Sequence, residues 1–171
     1  MAFPVPKDVR AARNFELVKG MDEMLRAPFL LADPTEDIDV GEWLKPVTSG
    51  GLTKMQKLEA ANDIDTPALG CKCSWTLYRQ GDAFNGQADA MATGTIDILS
   101  GTYQAKTKFY NTGGSYLAPG NPLVPVYHAT LGGILDAPNP ATPLTIPQLQ
   151  GVVARVIEVA NGQLHYEAPG L

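Results

Sequence analysis

The sequence predicts a mainly β protein, a small barrel or sandwich, and three observations carry that expectation. Gly and Pro are frequent, at 17 and 14 residues, which suits short strands joined by tight turns and does not suit a helix bundle. The stretch Thr95–Val126, TIDILSGTYQAKTKFYNTGGSYLAPGNPLVPV, reads as strand, Gly-containing turn, strand, Gly-Gly turn and strand. Asn161-Gly162, the strongest hairpin signal in the chain, separates GVVARVIEV from a final strand, Gln163–Glu167.

The totals bound the rest. A chain of 171 residues fits one domain plus an arm, or at most two small domains, and 44% hydrophobic residues are enough for a core. Only 18% of residues are charged, a composition compatible with a protein that works packed against others. The net charge of -5 and the lack of a Lys/Arg cluster disfavour nucleic acid, whose backbone is held by clustered cations. No apolar run approaches the ~18 residues that would span a membrane. The start, MAFPVPKDVRAAR, lacks the basic and apolar regions of a secretory signal, so synthesis and assembly in the cytoplasm are expected.

Residues 1–35 are expected as an N-terminal arm with short helical segments, ahead of a β-barrel-like domain over residues 36–171. Pro4 and Pro6 favour an extended start. Asp8 is placed to cap a short helix running to about Lys19, with Gly20 as its stop, and Met21–Arg26 adds a helical turn before Pro28. The arm packs back on its own domain, lays Phe3, Val5, Phe29, Leu30 and Leu31 on a neighbouring subunit, or is in part disordered.

From Glu36 the pattern turns to strands. Ile38, Val40, Trp43 and Leu44 suggest one strand kinked at Gly41, and Ser49-Gly50-Gly51 turns it into a second, Leu52–Leu58. Glu36, Asp37, Asp39 and Glu42 do not match a calcium loop and read as a solvated acidic turn. Asp63 and Asp65 read as loop residues. Over Leu69–Arg79, Cys71, Cys73, Trp75 and Leu77 fall on one face at period two, a strand with one buried face. Val124–Leu131 continues as a strand, with Gly132-Gly133 as the next turn. Asp136–Pro147 holds Pro138, Pro140, Pro143 and Pro147, so it is a stiffened surface loop and neither helix nor central strand.

The chemistry of known catalytic motifs is missing. No phosphate loop, dinucleotide fingerprint, nucleophile elbow or paired C-x-x-C motif occurs, and no enzyme activity is expected. Cys71 and Cys73 on one strand face lie ~6.5–7 Å apart, at or beyond the limit for a bridge, and read as reduced packing residues. A metal site would need two further ligands, and His128 and His165 are the only imidazoles, so no metal or cofactor is expected. Both histidines read as structural. The aromatics are spread over many strands, as core and sheet-face residues are.

Four stretches carry a resemblance: IDVGEWLKPV followed by GGLTKMQKL, then GTIDILSGTYQAKTKFYNTGGSYLAPGNPL, then GVVARVIEVANGQLHYEAPGL. In this order of strands and turns the chain resembles the capsid decoration, or cement, proteins of tailed bacteriophages over about three quarters of its length. The resemblance implies a compact β-barrel or β-tulip body on the outer face of an HK97-type capsid shell. Its partners would be the major capsid protein and sister copies, as a homotrimer that bridges capsomers and opposes internal DNA pressure. The implied location is the outer surface of the virion. The arm and the proline loop, with Pro138, Pro140 and Pro143, are elaborations and the expected contact elements. Two alternatives share the β-rich body: another virion part (tail tube, head–tail joining or fibre-base protein), and a β-sandwich glycan-binding module.

Overall fold

A computed structural model of the chain describes residues 15–19, 24–36, 38–60, 72–74, 94–145 and 149–168. Eleven strands are described: β1 (Phe15–Lys19), β2 (Met24–Leu31), β3 (Trp43–Ser49), β4 (Leu52–Lys57), β5 (Lys72–Ser74), β6 (Thr95–Gly101), β7 (Tyr103–Thr107), β8 (Pro122–His128), β9 (Gly132–Asp136), β10 (Ala154–Ala160) and β11 (Gln163–Ala168). The protein is mainly β, as the turn chemistry and period-two patterns predict. Its strands divide between a closed five-stranded barrel, in the order β2-β4-β3-β5-β6, and a six-stranded sheet, in the order β1-β7-β11-β10-β8-β9.

Local hairpin signals set the register where they occur. Gly50 and Gly51 both take positive φ, 61° and 76°, and join β3 to β4 with Ser49 opposite Leu52. Asn161 and Gly162 do the same at 54° and 72°, joining β10 to β11 with Ala160 opposite Gln163. Two consecutive left-handed residues give the turn whose twist matches that of the strands it joins. In β7, Tyr103, Ala105 and Thr107 are buried while Gln104 and Lys106 are not. The buried Thr107 hydroxyl accepts the Phe109 amide at 2.9 Å and so ends the strand without leaving that donor bare.

The segment expected as a helical arm is built into both parts. Residues 15–19 pair with β7 along one edge of the sheet, and residues 24–31 pair with β6 over seven positions in the barrel. The helix expected up to Lys19 is therefore, over 15–19, a strand, and the turn expected over Met21–Arg26 is strand from Met24. The reason is tertiary: β7 and β6 each offer an unpaired edge, and a full ladder of hydrogen bonds outweighs a weak local helix preference. Residues 1–14, with Phe3 and Val5, lie outside the described residues, as do Asp63, Asp65, Cys71 and the rest of the expected strand around Lys72–Ser74.

These pairings make an antiparallel ribbon that runs through both parts. Lys19 lies opposite Gln104 in the sheet, and Met24 lies opposite Gly101 in the barrel. The chain crosses from barrel to sheet at Gly101-Thr102, between β6 and β7. The terminal hairpin β10–β11 fills the middle of the sheet. The barrel closes through a short parallel seam in which Leu30 and Leu31 face Lys54 and Met55. Gly132 and Gly133, expected to form a turn, are the first residues of β9.

Two apolar clusters follow from this layout. Leu31, Ile38, Leu44, Met55, Ile96 and Ile98 fill the barrel. Their strand neighbours Trp43 and Leu99 point the other way and meet Tyr103, Leu164 and Tyr166 from the sheet. Tyr166, fully buried, stands between the two parts, its ring centroid 6.3 Å from that of Trp43 and 6.0 Å from that of Tyr103. Gly41 is set against the Phe15 ring. A Cβ there would lie 2.6 Å from Phe15 Cδ2, and the φ of 89° excludes most side chains anyway. Any side chain at 41 would push β1 away from the segment that enters β3.

Candidate functional site

The expected contact residues separate by strand parity. In β2, Phe29 and Leu31 face the barrel interior, Leu31 at 4% exposure, while Leu30 points outward at 37%. Leu31 is therefore a core residue and not a contact residue. The proline loop keeps its expected place. Pro138 is half-buried, and Pro140 and Pro143 are exposed.

That loop is held at both ends. Asp136 Oδ2 accepts the Asn111 side-chain amide at 3.0 Å, and Asp136 Oδ1 accepts the Ala137 amide at 2.8 Å. Asn139 folds the tip: its side-chain oxygen accepts from the Ala141 amide at 2.9 Å, and its carbonyl accepts from Thr142 at 3.1 Å. Leu144 then packs on the large core. The exposed prolines thus sit on a loop tied down at Asp136, Asn139 and Leu144.

The two histidines have different surroundings, and His165 Nε2 is buried without a hydrogen-bond partner among the described residues. His128 Nδ1 accepts the Thr130 and Leu131 amides at 3.2 and 3.1 Å, closing the β8–β9 turn. His165 Nδ1 lies 3.6 Å from Glu158 Oε1 on the neighbouring strand. Among the described residues, no group of three His, Cys, Asp or Glu side chains could hold a metal ion, and no helix is long and apolar enough to cross a membrane.

The acidic segment is the place where the structure departs most from the sequence reading. Glu42 was expected in a solvated turn, yet it is 2% exposed. It lies where β3 of the barrel meets β9 of the sheet. Its Oε2 accepts the Asp39 amide at 3.1 Å, and its Oε1 stands 3.2 Å from Lys57 Nζ on β4, an ion pair without hydrogen-bond alignment. Glu36 is half-buried beside it and accepts the Lys57 backbone amide at 3.4 Å.

Glycine makes the approach possible. A Cβ on Gly132 would overlap Glu42 Oε1, and one on Gly133 would overlap the Trp43 carbonyl oxygen and lie 2.8 Å from its carbon. Burial pushes the Glu42 carboxyl up to about 7, against the pull of Lys57 and of the Asp39 and Gly133 amides. Burial raises Glu36 as well. The signal in the sequence was Glu42 flanked by Val40, Gly41, Trp43 and Leu44, an acid inside an apolar run. Its partners, Lys57 and Gly132-Gly133, come from elsewhere in the chain.

A pH dependence follows. The folded-state value of Glu42 exceeds the unfolded one, so the stability tied to its proton is full below about pH 4.5 and is lost as the pH rises through about 7. A rise of this size is worth about 3 kcal/mol. Urea unfolding should show Glu42→Gln gaining on the wild type by that order between pH 5 and pH 8. Parallel profiles for the two proteins would contradict the assignment.

Compared with protein-family models, curated proteins and solved structures, the chain matches none, so its own geometry carries the functional reading.

Proposed function

We propose that this chain is a structural component of a tailed-phage virion, a decoration protein that binds the outer face of an HK97-type capsid shell and bridges capsomers. The observation that carries the reading is the clamped proline loop. Pro140 and Pro143 project from a loop held by Asn111, Asp136 and Leu144, so little ordering entropy remains to be lost when it meets a flat partner. The body behind it closes its barrel strands on one another, which hides edges that would otherwise recruit further strands. Leu30 adds one outward apolar side chain. Repeated over a shell, modest contacts of this kind sum to a large stabilisation.

The mechanism is interface burial and involves no reaction. The test uses expanded heads of the cognate phage assembled without this chain. Added protein should bind in many copies per head and raise resistance to heat or chelator. Replacing Pro140 and Pro143 together by Gly should weaken binding roughly tenfold while leaving the unfolding midpoint within about 1 kcal/mol of wild type. Protein that neither binds such heads nor alters their resistance would overturn the proposal. Binding confined to a few copies at a vertex or tail would favour a connector role.

A further inference from the structure

We propose that Glu42 is a proton-operated latch between the barrel and the tip of the β8–β9 hairpin: neutral, it lets the tip close on β3, and ionised, it loosens the tip from Val126 to Ile134 while the aromatic core stays packed. Three features of the junction support this. First, β9 is the last strand of the sheet, and beyond Leu135, which exchanges hydrogen bonds with Phe109 and Asn111, the hairpin tip from Val126 to Ile134 has only its own two strands as ladder partners among the described residues. Second, that hairpin meets β3 through two glycines that stack directly on Glu42 and Trp43, so no side chain cushions a change at the carboxylate. Third, Glu42 Oε1 is buried with the Lys57 ammonium 3.2 Å away and the Gly133 amide drawing on the same carboxyl. A charge buried there has a reason to admit water.

The charged groups around Glu42 set the direction. Lys57 on β4 faces it directly. From the preceding segment come Asp39, through its backbone amide, and Glu36, which shares Lys57. Lys45, on the same strand as Trp43, lies 3.8 Å from Glu59. Strand β9 brings only Gly132 and Gly133 to the contact, with His128 across the ladder from Gly132 and its Nδ1 already engaged. A single cation thus answers two carboxylates. Raising the pH ionises both.

Amide hydrogen exchange on the full chain, corrected for the intrinsic pH effect, tests this. Between pH 5.5 and pH 8, protection at Val126 and Ile134 should fall roughly tenfold or more, while Ala105 and Tyr166 hold theirs. Glu42→Gln should abolish the fall. Lys57→Met supplies a second route if that variant does not fold, because removal of the cation should move the loosening to higher pH. A carbon-13 titration of the Glu42 carboxyl in the wild-type chain should have its midpoint where the hairpin loosens. Protection that stays level across the range, a fall that persists in Glu42→Gln, or a carboxyl that titrates with the exposed glutamates would overturn the proposal.

Discussion

Gly133→Ala should destabilise the protein by about 3 kcal/mol or more, a large effect for the addition of one methyl group. Its Cβ would occupy the space of the Trp43 carbonyl, and that oxygen belongs to a strand held on both sides, by β4 and β5. Neither backbone can yield without breaking a ladder. Gly113→Ala is the matched control. Its new Cβ would meet nothing closer than Asn111 Oδ1 at 3.5 Å, so a change within about 0.5 kcal/mol is expected. Urea unfolding of the two variants checks both values. Equal midpoints would mean that β9 does not lie against β3 as described.

Tyr166→Ala should cost about 4 kcal/mol, in the upper range for loss of a buried aromatic. The ring touches Trp43 from the barrel and Tyr103 from its own sheet, so truncation opens a cavity between the two parts and removes contacts from both. Because the large core includes Val40, Trp43, Leu58 and Leu99 together with sheet residues, the barrel and sheet should still unfold in one transition. Leu52→Ala, at a site 54% exposed at the start of β4, should change the stability by less than about 0.5 kcal/mol. Circular dichroism and tryptophan fluorescence followed in the same denaturant series would reveal any separation of the two parts.

How far the sequence reaches depends on the range of each signal. Turns encoded by adjacent residues were legible: Gly50-Gly51 and Asn161-Gly162 fix their hairpins where the sequence places them. Strand parity was also legible in β7, and the same parity over Phe29-Leu30-Leu31 would have shown that Leu31 faces inward once that segment was read as a strand. The helix expected up to Lys19 failed because the edge that recruits residues 15–19 lies some ninety positions away, in β7. The split into barrel and sheet was hidden for the same reason. Gly101 between two apparent strands looks like a hairpin turn, but β6 and β7 pair with different partners and never with each other.

The site shows the same division. The proline loop could be read from composition, because proline excludes helix and central strand wherever it occurs. Its clamps, Asn111 and Leu144, could not. Glu42 was misread because burial of a charge is decided by what lands on it. Its local signal, an acid within Val40-Gly41-Glu42-Trp43-Leu44, points to an interior position, but only the approach of Gly132-Gly133 and Lys57 makes that position tolerable.

The central functional proposal, that this chain decorates a tailed-phage capsid, is most directly tested by electron cryomicroscopy of particles assembled with and without it. The proposal predicts extra density for a chain of 18.2 kDa, repeated over the outer face of the shell at contacts between capsomers, with the Pro140–Pro143 tip against the capsid protein. Density confined to the tail or the head–tail junction, or particles identical with and without the chain, would contradict it.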